Sequence, residues 1–125
     1  MQKLILALYS DDSTVRSSVI ASLGKQLDKD LPPHEIKEFA TADALRLYVD
    51  SKKQVDLFIL DAEAVPEGGM GVCRQLKDEV FNCPPVLLIT ARTSDNWLAT
   101  WSRAEATVMH PIDPFTIAAK CAGLL

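Results

Sequence analysis

No apolar run in this sequence is longer than a short strand. The first of them, Leu4 to Leu8, gives way within a few residues to Asp11 and Asp12. A membrane span takes about 20 apolar residues, and a secretory leader needs a longer apolar region with a small-residue cleavage site. Neither is present, so a cytoplasmic setting away from the membrane is expected. Cysteine is scarce: Cys73, Cys83 and Cys121 are widely spaced and form no Cys-x-x-Cys pair. That argues against a disulfide framework and for reduced, mostly buried thiols. Positive charge is not in excess either. With 13 Lys and Arg against 17 Asp and Glu, the net charge is -4, which speaks against sequence-independent binding to nucleic acid or to an anionic membrane surface. The phosphate-cradling pattern Gly-x-x-x-x-Gly-Lys is also missing, since Gly68, Gly69 and Gly71 neither fit it nor directly follow a strand.

What is present fits a single domain over residues 1–125, 48% hydrophobic and 24% charged. Its organising stretch is Val55 to Asp61, an apolar run bounded by acids, too short for a helix and suited to a strand buried on both faces. Leu4 to Tyr9 is a similar run. Val15, Val19, Ile20, Leu23 and Leu27 then recur at helical spacing, with Asp12 or Ser13 as N-cap and Leu31-Pro32-Pro33 as the stop. Ile36 to Phe39 reads as an edge strand, after His34 in a loop without function, and Thr41 opens a helix that ends near Ser51. The segment Ala62 to Gly71 reads as a flexible loop, and Val72, Leu76 and Val80 space a third helix. Val86 to Ile89 is a further buried strand. Trp97, Leu98 and Trp101 suggest a short helix with Trp97 inward and Trp101 on the surface, Ala106 to Met109 a last strand, and Asp113-Pro114 the start of a terminal helix. The succession implies an α/β fold: a five-stranded parallel sheet, wound by right-handed crossovers, with helices on both faces.

In such a sheet the carboxyl ends of the strands share one edge, where ligands bind. Asp11, Asp12, Asp61, Thr90 and His110 therefore converge. Each also has a plainer role, the acids as caps and Thr90 and His110 as loop residues. Clustered carboxylates repel one another, and a hard divalent cation with oxygen ligands relieves that repulsion. Magnesium beside a carboxylate nucleophile suits phosphoryl transfer.

These residues resemble the receiver domain of bacterial two-component response regulators, with its (βα)5 flavodoxin-like fold. The resemblance covers residues 3 to 125 and rests on the acids after the first strand, Asp61 after the third, Thr90-Ala91 after the fourth and His110-Pro111 after the fifth. It implies that Asp61 accepts a phosphoryl group from a histidine kinase or phosphotransfer protein. Mg2+ would be held by Asp11, Asp12, Asp61 and the backbone carbonyl of Glu63. Thr90 would couple the phosphoryl group to the surface of the fourth helix, fifth strand and fifth helix, where a protein target or a second copy docks. It further implies a signalling module rather than an enzyme; with the chain stopping at Leu125, where the fifth helix would end, no attached nucleic-acid-binding domain is expected.

The sequence also departs from the family pattern. Receivers carry a lysine where His110 stands, and a histidine, with an ordinary pKa of about 6.5, predicts weaker and more pH-dependent activation. The usual switch aromatic is Thr107. A gap-free alignment of the first helix sets Ser10 and Asp11 at the paired-acid positions and leaves Asp12 one residue late. The isomer of the His110–Pro111 bond is left open. Two other functions compete: a degenerate, phosphate-independent receiver scaffold, and an aspartyl-phosphate phosphatase. The phosphatase would want Asp where Glu63 stands, a later lysine and more chain for a cap.

Overall fold

Successive side chains of a strand point to opposite faces, and in the three central strands of this chain both faces are apolar. The structure is a computed structural model and describes residues 3–91 and 100–125. Strands β1 (Leu4–Tyr9), β2 (His34–Phe39), β3 (Leu57–Asp61), β4 (Val86–Thr90) and β5 (Ala106–Met109) pair in parallel in the order β2-β1-β3-β4-β5. Helices α1 (Ser13–Leu23), α2 (Ala42–Asp50), α3 (Gly69–Glu79) and a terminal helix (Pro114–Leu124) connect and cover them. The expected α/β architecture is present.

The alternation creates two cores. Leu6, Leu8, Leu57, Ile59, Leu87 and Ile89 face α1 and the terminal helix and pack with Val19, Leu23, Ile117 and Cys121. Ala7, Tyr9, Phe58, Leu60, Val86 and Leu88 face the other way and pack with Leu45, Val72, Cys73 and Leu76 of α2 and α3. Fully burying a Leu or Ile side chain contributes about 1.5–3 kcal/mol, so the central strands supply much of the fold's stabilisation. Order reverses around β1, which has β2 on one side and β3 on the other. The carboxyl ends of β1 and β3 thus flank the crevice where doubly wound sheets bind ligands.

Several element boundaries differ from the sequence expectation. The helix α1 stops at Leu23, well before the prolines, because Gly24 takes a φ of +58° that glycine adopts without a Cβ penalty. Leu27 lies outside the helix yet still packs against the core. The strand β2 begins at His34, which is buried; its Nε2 donates to the Gly24 carbonyl at 2.7 Å and so covers the end of α1. Gly69 and Gly71, expected in a flexible loop, form the first turn of α3. Capping follows the expected chemistry: the Asp12, Thr41 and Asp113 side chains accept from the N–H groups of Thr14, Ala44 and Phe115. Trp97 and Leu98 lie outside the described residues, whereas Trp101 is exposed, with the Arg74 guanidinium 5.5 Å from its ring centre. No helix among the described residues is long and apolar enough to cross a membrane.

Leu88 sits at zero exposure in a strand flanked on both sides. Leu88→Ala is expected to lower the unfolding free energy by about 2–5 kcal/mol, read from the midpoint of a urea titration. Burial also pushes the thiols of Cys73 and Cys121 up, to about 11 and about 12 respectively. At neutral pH both are therefore protonated and weakly nucleophilic. An alkylating reagent is expected to modify the less buried Cys83 in the native state, and to reach Cys73 and Cys121 only after unfolding, as located by peptide mass mapping.

Candidate functional site

A buried carboxylate is costly unless hydrogen bonds replace its hydration. Asp61, the last residue of β3, is 2% exposed and meets that requirement with donors from three segments. Its Oδ2 accepts from the Ser10 hydroxyl at 2.8 Å. Its Oδ1 accepts from the Glu63 N–H at 2.9 Å and faces His110 Nε2 at 3.3 Å. A carboxylate oxygen only accepts, so Nε2 is the nitrogen that carries the proton in this contact.

Register explains the convergence. Tyr9 pairs with Leu60, so the residues that follow them, Ser10 and Asp61, emerge side by side. Ser10 is fully buried, and its position is fixed from both ends: its carbonyl accepts from Arg16 Nη1 at 2.7 Å, and its hydroxyl oxygen accepts from the Asp12 N–H at 3.1 Å. On the other side, Thr90 pairs with Met109 at the ends of β4 and β5, and the His110 N–H donates to the Thr90 carbonyl at 2.8 Å. The His110–Pro111 bond is cis. Thr90 is itself buried, and its hydroxyl donates to the Val108 carbonyl at 3.4 Å, toward β5.

The expected metal ligands do not all gather here. Asp12 caps α1, with Oδ1 accepting from the Thr14 N–H at 2.8 Å, and is exposed. Asp11 is exposed in the turn after Ser10, and Glu63 brings its backbone to Asp61 while its side chain is exposed. Among the described residues, no three His, Cys, Asp or Glu side chains are grouped so as to hold a metal ion. Beside Asp61 the structure places the Ser10 hydroxyl, while Asp12 sits at the cap of α1 and Asp11 in the exposed turn.

A supporting network that no local sequence pattern marks surrounds the loop after Asp61. The buried Tyr9 hydroxyl donates to the Glu67 carbonyl at 2.5 Å, tying the loop after Asp61 to the end of β1. Burial, then the charges of Glu67 and Asp11, hold this phenol above its ordinary pKa. Arg46 of α2 grips the Glu67 carboxylate with both terminal nitrogens and reaches Asp43 and Gln75. The Arg46 hydrogen bond in turn holds the Glu67 carboxyl below its ordinary range. Gly68 and Gly69 complete the packing. A Cβ on Gly69 would lie 2.8 Å from the Asp61 carbonyl oxygen, and one on Gly68 would lie 2.7 Å from that of Ala62. The available signal is the pair Gly68-Gly69 at the end of the loop after Asp61, which marks close backbone approach rather than flexibility.

Comparison with known proteins decides the family. No protein-family model matches the chain. Two curated relatives, each an uncharacterized response regulatory protein from a strain of Mycobacterium tuberculosis, are 47% identical over 122 residues, covering 98% of this chain and 91% of the relative. The chain belongs to the response regulators. Solved structures agree on the fold of this response regulator. A putative response regulator from Chloroflexus aurantiacus superposes with a TM-score of 0.81 at 19% identity, over 98% of both chains. The chemotaxis response regulator CheY4 of Vibrio cholerae gives 0.80 at 18% identity, over 99% of this chain and 100% of that one. The BeF3-activated DrrB receiver domain gives 0.76 at 18% identity, over 98% and 97%.

The close approach of α3 to Asp61 generates a prediction. Gly69→Ala leaves no room for its methyl against backbone and is expected to destabilise the protein by about 1–3 kcal/mol. It should also shift the backbone amide resonances of Asp61 and Glu63, as read in a 15N–1H spectrum of the folded fraction.

Proposed function

We propose that this response regulator is a receiver module that accepts a phosphoryl group on Asp61 and signals through protein contact. The observation that carries the reading is the buried Asp61 carboxylate at the carboxyl end of β3, with His110 Nε2 at 3.3 Å. A carboxylate oxygen attacks the phosphorus of a phosphohistidine on a histidine kinase or phosphotransfer protein. The new P–O bond forms as the P–N bond breaks, and the departing imidazole keeps the electron pair. The Glu63 N–H and the Ser10 hydroxyl hold the carboxylate in one orientation during the attack, and His110 Nε2–H is placed to donate to a phosphoryl oxygen. Such fixed donors act where charge develops.

Thr90 supplies the link to the surface in this proposal. Its hydroxyl leaves the Val108 carbonyl for the phosphoryl group, and β5 loses that contact. The face that reads the change includes the exposed side chains of Trp101, Met109 and Phe115, apolar groups suited to a protein target or a second copy. The Mg2+ dependence expected of receivers would fall on Asp61, Asp11 and the Glu63 carbonyl, a set one carboxylate short. Signalling rather than turnover, in the cytoplasm, completes the reading.

One observation favours a second reading. Both Asp61 oxygens are already hydrogen-bonded within the chain, as a phosphate-independent scaffold would require. Incubation with Mg2+ and a small acyl phosphate, followed by intact-mass measurement, separates the two. The first reading expects one added phosphoryl group, absent in Asp61→Asn and retained for longer in His110→Lys. An unchanged mass across a range of Mg2+ concentrations would leave the scaffold.

A further inference from the structure

The buried Ser10 hydroxyl has one proton to give and gives it to Asp61. Its oxygen accepts from the Asp12 N–H at 3.1 Å, which turns the O–H toward Asp61 Oδ2 at 2.8 Å. Arg16 fixes the backbone beneath it, through Nη1 to the Ser10 carbonyl at 2.7 Å and Nε to Glu38 at 3.2 Å. The hydroxyl thus has a set direction, and at zero exposure it competes with no bulk water.

A neutral donor at this place has two consequences. It satisfies an oxygen that would otherwise seek a cation, and it withholds the negative charge that a carboxylate would contribute. Asp12 does not make up that charge, because it is exposed and its Oδ1 caps α1, which leaves Asp11 as the one further carboxylate available from this turn. Hard cations are held by the number and charge of their oxygen ligands, so both consequences weaken cation binding.

The geometry points to Ser10 as a positioning residue that keeps the Asp61 carboxylate hydrogen-bonded without a metal, and that sets this site's affinity for divalent cations low. Ser10 competes with the cation for Oδ2. The inference deepens the reading of Asp61 as the acceptor, but it is tested on cation binding and not on phosphorylation.

The experiment titrates Mn2+, followed by electron paramagnetic resonance, and Mg2+, followed by calorimetry, into the native chain, Ser10→Asp, Ser10→Ala and the double variant Ser10→Asp with Asp61→Asn. Circular dichroism reports which of them fold. Ser10→Asp is expected to bind at least about tenfold more tightly than the native chain through its added ligand charge, and the double variant is expected to lose that gain. A folded Ser10→Asp with a smaller gain, or a gain that survives Asp61→Asn, overturns the inference. Should Ser10→Asp not fold, Ser10→Ala decides: with Oδ2 released from its hydrogen bond, binding at least about threefold tighter supports the competition, and any smaller change overturns it. Failure of the native chain to take up phosphoryl, with the Ser10→Asp gain intact, removes the acceptor function and leaves the role of Ser10 standing.

Discussion

Burial of the sheet on both faces is the constraint from which the rest of this structure follows. Leu57 to Leu60 and Val86 to Ile89 are covered above and below, so no polar side chain is accommodated along their length. Polar chemistry is displaced to the strand ends. There the parallel arrangement gathers it at one edge, and register sets which groups touch. Asp61 meets Ser10 because Tyr9 pairs with Leu60, and His110 arrives because β5 ends level with β4.

The same constraint dictates how Asp61 is treated. A carboxylate at the rim of an apolar sheet loses much of its hydration and must recover it from fixed donors. This chain supplies a hydroxyl, a backbone N–H and an imidazole N–H from three segments. The response-regulator fold is thereby kept while the balance of charge around Asp61 is altered: one fewer carboxylate on the β1 side, and a ring nitrogen in place of an ammonium on the β5 side. Both changes move the site from ionic contacts toward hydrogen bonding.

Much of this was legible in the sequence, because the signals were short-range. Apolar runs stopping on Asp61 and Thr90 marked the buried strands, and Asp113-Pro114 marked the terminal helix. The unread parts depended on distance or on backbone angle. Gly24 ends α1 through a positive φ, whereas prolines eight and nine residues later drew attention as the stop. His34 covers the end of a helix ten residues away. Ser10 stood at a paired-acid position in the gap-free alignment, yet its bond to Asp61 spans 51 residues and arises only from strand pairing. The Tyr9, Glu67 and Arg46 network draws on β1, the loop after β3 and α2 at once, and no local pattern announces such a junction.

Gly69 leaves less than a methyl group of space between α3 and the backbone of Asp61, and Arg46 fastens the adjoining loop to α2. On that flank Asp61 is packed directly against backbone. On the opposite flank it is met by His110 at 3.3 Å, while the Thr90 hydroxyl reaches the Val108 carbonyl of β5 at 3.4 Å, side-chain contacts near the long limit of hydrogen bonding. The two flanks of Asp61 therefore differ in kind: backbone in close contact on the α3 side, and side-chain hydrogen bonds of greater length on the β5 side.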